Sequence, residues 1–271
     1  MTPDFSQLVW TAPGTFRVGS ELFKVQSLGA ELETASDGFV IYKEPKHFEI
    51  YSSWWPAKFA PSEMLELGIW AGGSAVFWNE LLCPKRLGAL DIKKPEFLGT
   101  DNLARLEAYQ KRQPGLRLYW STSQADAVAL GRILDEDFPA GIDFVIDDAS
   151  HLYGLSRSSF EIIFPRVRAG GWYVIEDWPW DVADPFPGQE YLLRSGPPLS
   201  LLITDLALIT GRDKNVIDAV EVIRTLTFIQ RGSAALKPGF SIADYLPNPK
   251  LKDVRRVARR FLSHFCGRRG W

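Results

Sequence analysis

Two stretches of the chain end an apolar run on acid. FVIDDASH (144–151) sets Asp147 and Asp148 directly behind Phe144, Val145 and Ile146, and follows them with His151, one of only 3 histidines. WYVIED (172–177) closes a second run on Glu176 and Asp177. If two such strands lie side by side, their terminal carboxylates repel one another unless a cation stands between them. Oxygen ligands without cysteine or paired histidines favour Mg²⁺, or Mn²⁺ or Ca²⁺, over zinc. An ion of that kind keeps a position open for a substrate hydroxyl and makes it more acidic. His151 then has the right chemistry and place to remove the proton at neutral pH. Taken singly, an acidic pair is more often a solvated turn or helix cap, and a lone histidine more often structural. Two strand-terminal pairs with a histidine at one of them point instead to a metal site of Asp148, Glu176 and Asp177 with His151 as base.

A third stretch, LELGIWAGGS (65–74), reads as strand, glycine turn and helix start, with Gly68, Gly72 and Gly73 where backbone must turn tightly or admit a ligand. It lacks both the Gly-x-Gly-x-x-Gly spacing of dinucleotide folds and the Gly-Lys-Ser/Thr ending of a phosphate loop. Glu66 beside the turn would repel a pyrophosphate and attract an amino acid's ammonium, which S-adenosylmethionine carries. Asp91 ends the next apolar run, LGALDI, where an acid can accept both ribose hydroxyls, a role common to NAD and S-adenosylmethionine folds. A helix-capping or turn role is the plainer alternative for Asp91.

These residues need a scaffold, and the pattern around them supplies one. From MLELGI onward, short apolar runs alternate with helical patterns: GSAVFWNELL, DNLARLEAYQKR, QADAVALGRIL and GLSRSSFEIIFPRV each follow a strand-like run. Continuous apolarity within the runs predicts a doubly wound α/β fold, a mostly parallel sheet covered by helices on both faces, whose strand exits carry the ligands. LSLLITDLALITG predicts a further helix, and AVEVIRTLTFIQRGSAAL one or two closing strands. Residues 1–60 read as a small N-terminal extension with β-type stretches LFKVQSL and GFVIYKE, then a loop through YSSWWPAKFAPSE. Residues 61–240 form the main domain, and 241–271 a basic amphipathic tail.

In the tail, Leu251, Val254, Val257, Phe261 and Phe265 recur at helical spacing, with Arg255, Arg256, Arg259 and Arg260 among them. The segment reads as a C-terminal helix docked by its stripe with solvated arginines; weak contact with an anionic surface or acidic partner is the alternative. The bulk numbers narrow the rest. A chain of 271 residues, 46% hydrophobic and 24% charged, can bury a full core. A formal net charge of -2 gives no field to gather nucleic acid, and no apolar run is long enough for a membrane span. Cys83 and Cys266, the only 2 cysteines, are too few for a disulfide scaffold, and the start shows no basic stretch before a long apolar core, so the cytoplasm is the default.

Together ELGIWAGGS, LGALDI, STSQAD, FVIDDASH and VRAGGWYVIEDW resemble the class I S-adenosylmethionine-dependent methyltransferases of the macrocin and mycinamicin sugar O-methyltransferase group, over about residues 60–235. The resemblance implies a Rossmann-like methyltransferase sheet and Mg²⁺-dependent methylation of a sugar hydroxyl. It places the metal on Asp148, Glu176 and Asp177 and the base on His151. It places the cofactor at Glu66, Gly68, Gly72, Ser74, Asp91 and Asp147, with Ser123 and Gln124 as the adenine-side loop. Its expected partner is a small hydroxyl acceptor, sugar-containing, and a homo-oligomer is compatible with it. Trp70 in the first turn, and Trp178, Pro179 and Trp180 behind the acidic pair, depart from the family pattern. Trp178, Trp180, Trp54 and Trp55 are candidates either for flat faces under an acceptor or for packing plugs. Two other readings stand beside this one: an oxidoreductase or hydroxylase on the same fold, and a non-catalytic binding or scaffold protein reaching a membrane or partner through the tail.

Overall fold

The computed structural model describes residues 3–26, 37–181 and 196–246. Its centre is a seven-stranded sheet in the order β10-β11-β9-β8-β5-β6-β7. The strands are β5 (Glu63–Leu67), β6 (Arg86–Leu90), β7 (Leu116–Tyr119), β8 (Ile142–Asp147), β9 (Val167–Ile175), β10 (Ile217–Ile223) and β11 (Leu226–Arg231). The first five are mutually parallel along β7-β6-β5-β8-β9, and the closing hairpin β10-β11 is joined antiparallel to β9. This is the doubly wound α/β sheet expected, with both closing strands present. Helices α2 (Gly73–Leu82), α3 (Gly99–Arg112), α4 (Ala127–Glu136), α5 (Tyr153–Ile163) and α6 (Leu199–Arg212) fall on the segments with helical patterning.

Two apolar layers sandwich the sheet. One face packs against α2 and α3 through Met64, Ile146, Val174, Phe77 and Leu106, the other against α4, α5 and α6 through Leu65, Val145, Tyr173, Leu134, Phe160 and Leu206. The central strands β5, β6 and β8 and the C-terminal half of β9 are therefore buried on both faces, whereas β10 at the sheet's edge exposes Asp218, Glu221 and Val222.

The N-terminal segment is more structured than its composition indicates. Strands β1 (Val9–Ala12), β2 (Thr15–Val18), β3 (Glu21–Val25) and β4 (Phe39–Ile41) form a second sheet, antiparallel except for the β3-β4 pair. Helix α1 (Pro45–Trp54) occupies part of what reads as a loop in YSSWWPAKFAPSE and the residues before it. Pro45 at the first helical turn starts it, with φ already set for a helix and no backbone N–H to satisfy. His47, Phe48, Ile50 and Tyr51 are buried along it. Phe16, Phe23, Phe48 and Tyr51 belong to the same core as Phe77, Phe144 and Phe228, so the segment shares its interior with the main sheet.

Among the described residues no helix is long and apolar enough to cross a membrane. The expected C-terminal helix, with its arginines and stripe, lies outside the described residues.

Candidate active site

The chain winds β5, β6 and β7 outward in one direction and returns to β8 on the other side of β5, so the switch point of the sheet lies between β5 and β8. Asp148 N–H donates across it to the Leu67 carbonyl at 2.9 Å, and on the other side of β5 Gly68 N–H donates to the Leu90 carbonyl of β6 at 2.9 Å. Gly68 has φ +82°, and a Cβ there would stand 2.2 Å from the Asp148 carbonyl oxygen. The glycine is thus required for two strand exits to approach each other, a packing reason that holds whatever ligand the turn admits.

Strand alternation then separates the adjacent acids. Asp147 points with Val145 into the α4-α5-α6 layer, where its carboxylate accepts from Ser159 Oγ at 2.8 Å, Tyr173 Oη at 2.9 Å and Gln124 Nε2 at 3.1 Å. Burial pushes its carboxyl up, and the hydroxyls of Ser159 and Tyr173 pull it back. Gln124 also accepts the Ser150 N–H at 3.0 Å, so it fastens the β8-α5 loop to the loop after β7. Of the residues expected at the cofactor, Asp147 and Gln124 are therefore joined to each other inside the protein.

Asp148 and Glu176 face the opposite layer, and between them stands a residue that the sequence reading did not single out. Lys43, in the link between β4 and α1, donates to Asp148 Oδ2 at 2.6 Å and to Glu176 Oε2 at 2.5 Å. Tyr51 Oη on α1 donates to the second Glu176 oxygen at 2.7 Å. Burial disfavours the Lys43 ammonium, but the charges of Asp148 and Glu176 outweigh it and raise its pKa. The repulsion expected between neighbouring strand exits is thus met in part by the protein's own cation. The ligand atoms that do converge belong to Asp148, His151 and Asp177, all within 4.8 Å of one another. Asp148 and Asp177 are those expected to bind metal; His151, expected as base, stands in the group where Glu176 was expected. Two carboxylates and one imidazole are a donor set that a divalent cation accepts.

Asp177 is held by a second histidine, also absent from the sequence reading. His47 on α1 sets Nε2 2.8 Å from Thr225 Oγ1 and 3.3 Å from Asp177 Oδ1. Burial opposes its cation, but the bond to Asp177 and the charge of Glu176 raise its pKa. The signal for His47 and Tyr51 was the helical spacing of residues 47, 51 and 54, hidden by a Trp- and Pro-rich stretch that resembles a loop; Lys43, ahead of α1, carries no such signal.

On the β5 side, Glu66 is fully buried and neither carboxylate oxygen has a hydrogen-bond partner among the described residues. Burial pushes its carboxyl up to about 8 against the pull of Lys43. The Ser74 hydroxyl also pulls on it but meets neither oxygen in good hydrogen-bond geometry, and an acid so thinly supplied with donors is what an ammonium or amide would complete, so Glu66 fits an amino-acid ligand. Gly72, with φ +78°, caps the start of α2, and Ser74 is buried in its first turn. Asp91 accepts the Trp70 N–H at 2.7 Å and the Lys93 N–H at 2.8 Å, one on each oxygen, and each oxygen retains a second lone pair for a ligand. Ser123 receives the Ala125 N–H at 3.3 Å, a turn that leads into α4.

Backbone strain gathers at the same edge. Trp70, Ser121, His151 and Asp177 all have positive φ, between 47° and 55°, and follow β5, β7, β8 and β9 respectively. Non-glycine residues of that kind collect where surrounding structure enforces them, commonly at functional sites. The tryptophans divide. Trp54 stacks on Phe228 at 3.8 Å and meets Trp172 edge-on, while Trp55 packs near Phe59 and Phe144, so both are packing elements. Trp178 donates Nε1 to the Arg224 carbonyl at 2.8 Å. Trp70 lies at the surface beside Tyr42 and Phe97 with Lys93 Nζ 4.3 Å from its ring centre; the side chain of Trp180 lies outside the described residues.

Residues 65–178 match a family model described as a methyltransferase domain. Mycinamicin VI 2''-O-methyltransferase of Micromonospora griseorubida is 29% identical over 214 residues, 75% of this chain and 45% of the relative. Demethylmacrocin O-methyltransferase of Streptomyces fradiae is 30% identical over 190 residues, 62% of this chain and 44% of the relative. The chain spans less than half the length of these relatives. Among solved structures, the MycE methyltransferase from the mycinamycin biosynthetic pathway, in complex with Mg, SAH and mycinamycin VI, aligns at 28% identity with a TM-score of 0.46, covering 69% of this chain and 48% of its own.

Proposed function

We propose that this chain, which carries a methyltransferase domain over residues 65–178, transfers a methyl group from S-adenosylmethionine to a hydroxyl of a sugar or glycosylated natural product with the help of a divalent metal. The observation that carries the proposal is the meeting of Asp148, His151 and Asp177 at the exits of β8 and β9, beside the switch point where Glu66 is buried with neither oxygen in a well-formed hydrogen bond. The names of the relatives, a mycinamicin VI 2''-O-methyltransferase and a demethylmacrocin O-methyltransferase, support the acceptor class.

When bound, S-adenosylmethionine supplies a methyl already activated on sulfonium, and Mg²⁺ or Mn²⁺ supplies acidification of the acceptor hydroxyl. The chain's own residues bind and orient. Glu66 takes the ammonium, Asp91 the ribose hydroxyls, and the backbone from Gly68 to Ser74 forms the floor beneath them. Asp148 and Asp177 hold the ion. His151 takes the acceptor's proton as the new O–CH₃ bond forms and the electron pair of the broken bond stays on sulfur. Because the donor is activated beforehand, position and electrostatics contribute most of the rate. We place the reaction in the cytoplasm, with residues 1–60 as an extension to a main domain of 61–240.

The test is to incubate the full chain with S-adenosylmethionine and a panel of glycosides and phenols, with Mg²⁺ or with chelator, and to measure S-adenosylhomocysteine and methylated product. Metal-dependent methylation of a glycoside is the expected result. Product formed at the same rate in chelator removes the metal from the mechanism, and calorimetric binding of NAD in place of S-adenosylmethionine removes the activity.

A further inference from the structure

We infer that Lys43 is a positioning residue that decides which acids bind the metal. Held by Lys43 and Tyr51, Glu176 stays outside the ion's shell, and the carboxylates of Asp148 and Asp177 are left to form it. The inference rests on the metal reading above and narrows it.

Both oxygens of Glu176 are engaged, one by the Lys43 ammonium at 2.5 Å and the other by Tyr51 Oη at 2.7 Å. The Lys43 and Glu176 side chains are 2% and 0% exposed, so water cannot take over either partner. With a donor on each oxygen, Glu176 has no carboxylate oxygen left to turn towards an ion. Asp148 divides its oxygens instead: Oδ2 binds Lys43 at 2.6 Å, and Oδ1 faces His151 Nε2 at 3.9 Å, on the side where Asp177 also converges. The ion's place therefore lies on the far side of Asp148 from the lysine. Neutralising Glu176 leaves the ion two carboxylates rather than three, which sets a weaker and more readily exchanged site. All of this comes from a residue outside the matched domain, on a segment read as an appendage.

The test is Mn²⁺ binding by titration calorimetry to the full chain and to D148N, D177N, E176Q, K43M and K43M/E176Q. On this inference E176Q weakens binding less than D177N does, K43M tightens it by about tenfold because Glu176 is released to the ion, and adding E176Q to K43M removes the gain. E176Q weakening Mn²⁺ binding as much as D177N overturns the inference, as does K43M without a Glu176-dependent gain. Wild-type protein that binds no Mn²⁺ overturns the metal reading itself, a separate result. Should variants not fold, anomalous scattering from wild-type crystals soaked in Mn²⁺ decides: an ion at inner-sphere distance from Glu176, about 2.1 Å, overturns the inference, and an ion on Asp148 and Asp177 with Lys43 still on Glu176 upholds it.

Discussion

Lys43 Nζ and Glu176 Oε2 lie 133 residues apart in the chain and 2.5 Å apart in space. The contact ties the N-terminal segment to the exit of β9, and Asp148 joins it from β8. Breaking a buried pair from one side leaves an uncompensated charge, which costs about 3–5 kcal/mol. Lys43→Met is therefore expected to lower the unfolding free energy by an amount in that range, measured by urea titration. A K43M/E176Q double variant should lose less than the sum of the two single changes.

Gly68→Ala places a Cβ where the Asp148 carbonyl stands at 2.2 Å, on a backbone with φ +82°. Either the β5 exit or the β8 exit has to move. Strain of about 1–3 kcal/mol is expected from the backbone conformation alone, before the clash is counted. The readouts are thermal unfolding and Mn²⁺ affinity, and both should fall, because Asp148 rides on the displaced segment.

Ser159→Ala removes one donor from the buried Asp147 carboxylate, 2.8 Å away, and leaves Tyr173 and Gln124 to hold it. A loss of about 1–3 kcal/mol in stability is expected. Metal affinity should change little, since Asp147 faces away from Asp148. A large loss of metal binding with stability preserved would show that Asp147 belongs to the metal site after all.

His151→Ala should reduce kcat by about 10²–10⁴-fold, the range for loss of a general base, and leave the KM for S-adenosylmethionine near its wild-type value. If only metal affinity falls and excess Mn²⁺ restores kcat, His151 serves the ion alone and another group takes the proton.

Glu66→Gln carries a pH signature. The Glu66 carboxyl is pushed up to about 8 in the fold, from an ordinary 4.5. A raised carboxyl is protonated in the folded chain and ionised in the unfolded one between those values, so it costs stability progressively as pH rises from 4.5 towards 8. The stability of E66Q relative to wild type should therefore grow over that window and level off above it. Calorimetry with S-adenosylmethionine on the same variant should show weakened binding. A stability difference that stays flat from pH 4.5 to 8 would mean the acid is ionised throughout.

Much of this protein was legible in one dimension. The runs ending at Leu67, Leu90, Tyr119, Asp147 and Ile175 are strands because each is a short apolar block between helical patterns, and a strand buried on both faces needs no polar alternation. Asp91, Asp148, Glu176 and Asp177 fall at the exits for the same reason, since a charge is least costly where the buried run stops; Glu66, inside β5, is the exception and shows it in its raised carboxyl pKa. Strand periodicity also contains the parting of Asp147 from Asp148, since neighbours on a strand face opposite ways, although the sequence alone does not say what waits on each face. Lys43, His47 and Tyr51 were not legible as site residues. Their roles depend on where α1 docks, and that is decided by Trp54 against Phe228 and Phe48 against Phe77, contacts between segments far apart in the chain. Local patterns report which way a side chain can face; only the packed fold brings the lysine of one segment to the acids of two others, because burial energy summed over the whole core selects that docking and no short stretch records it.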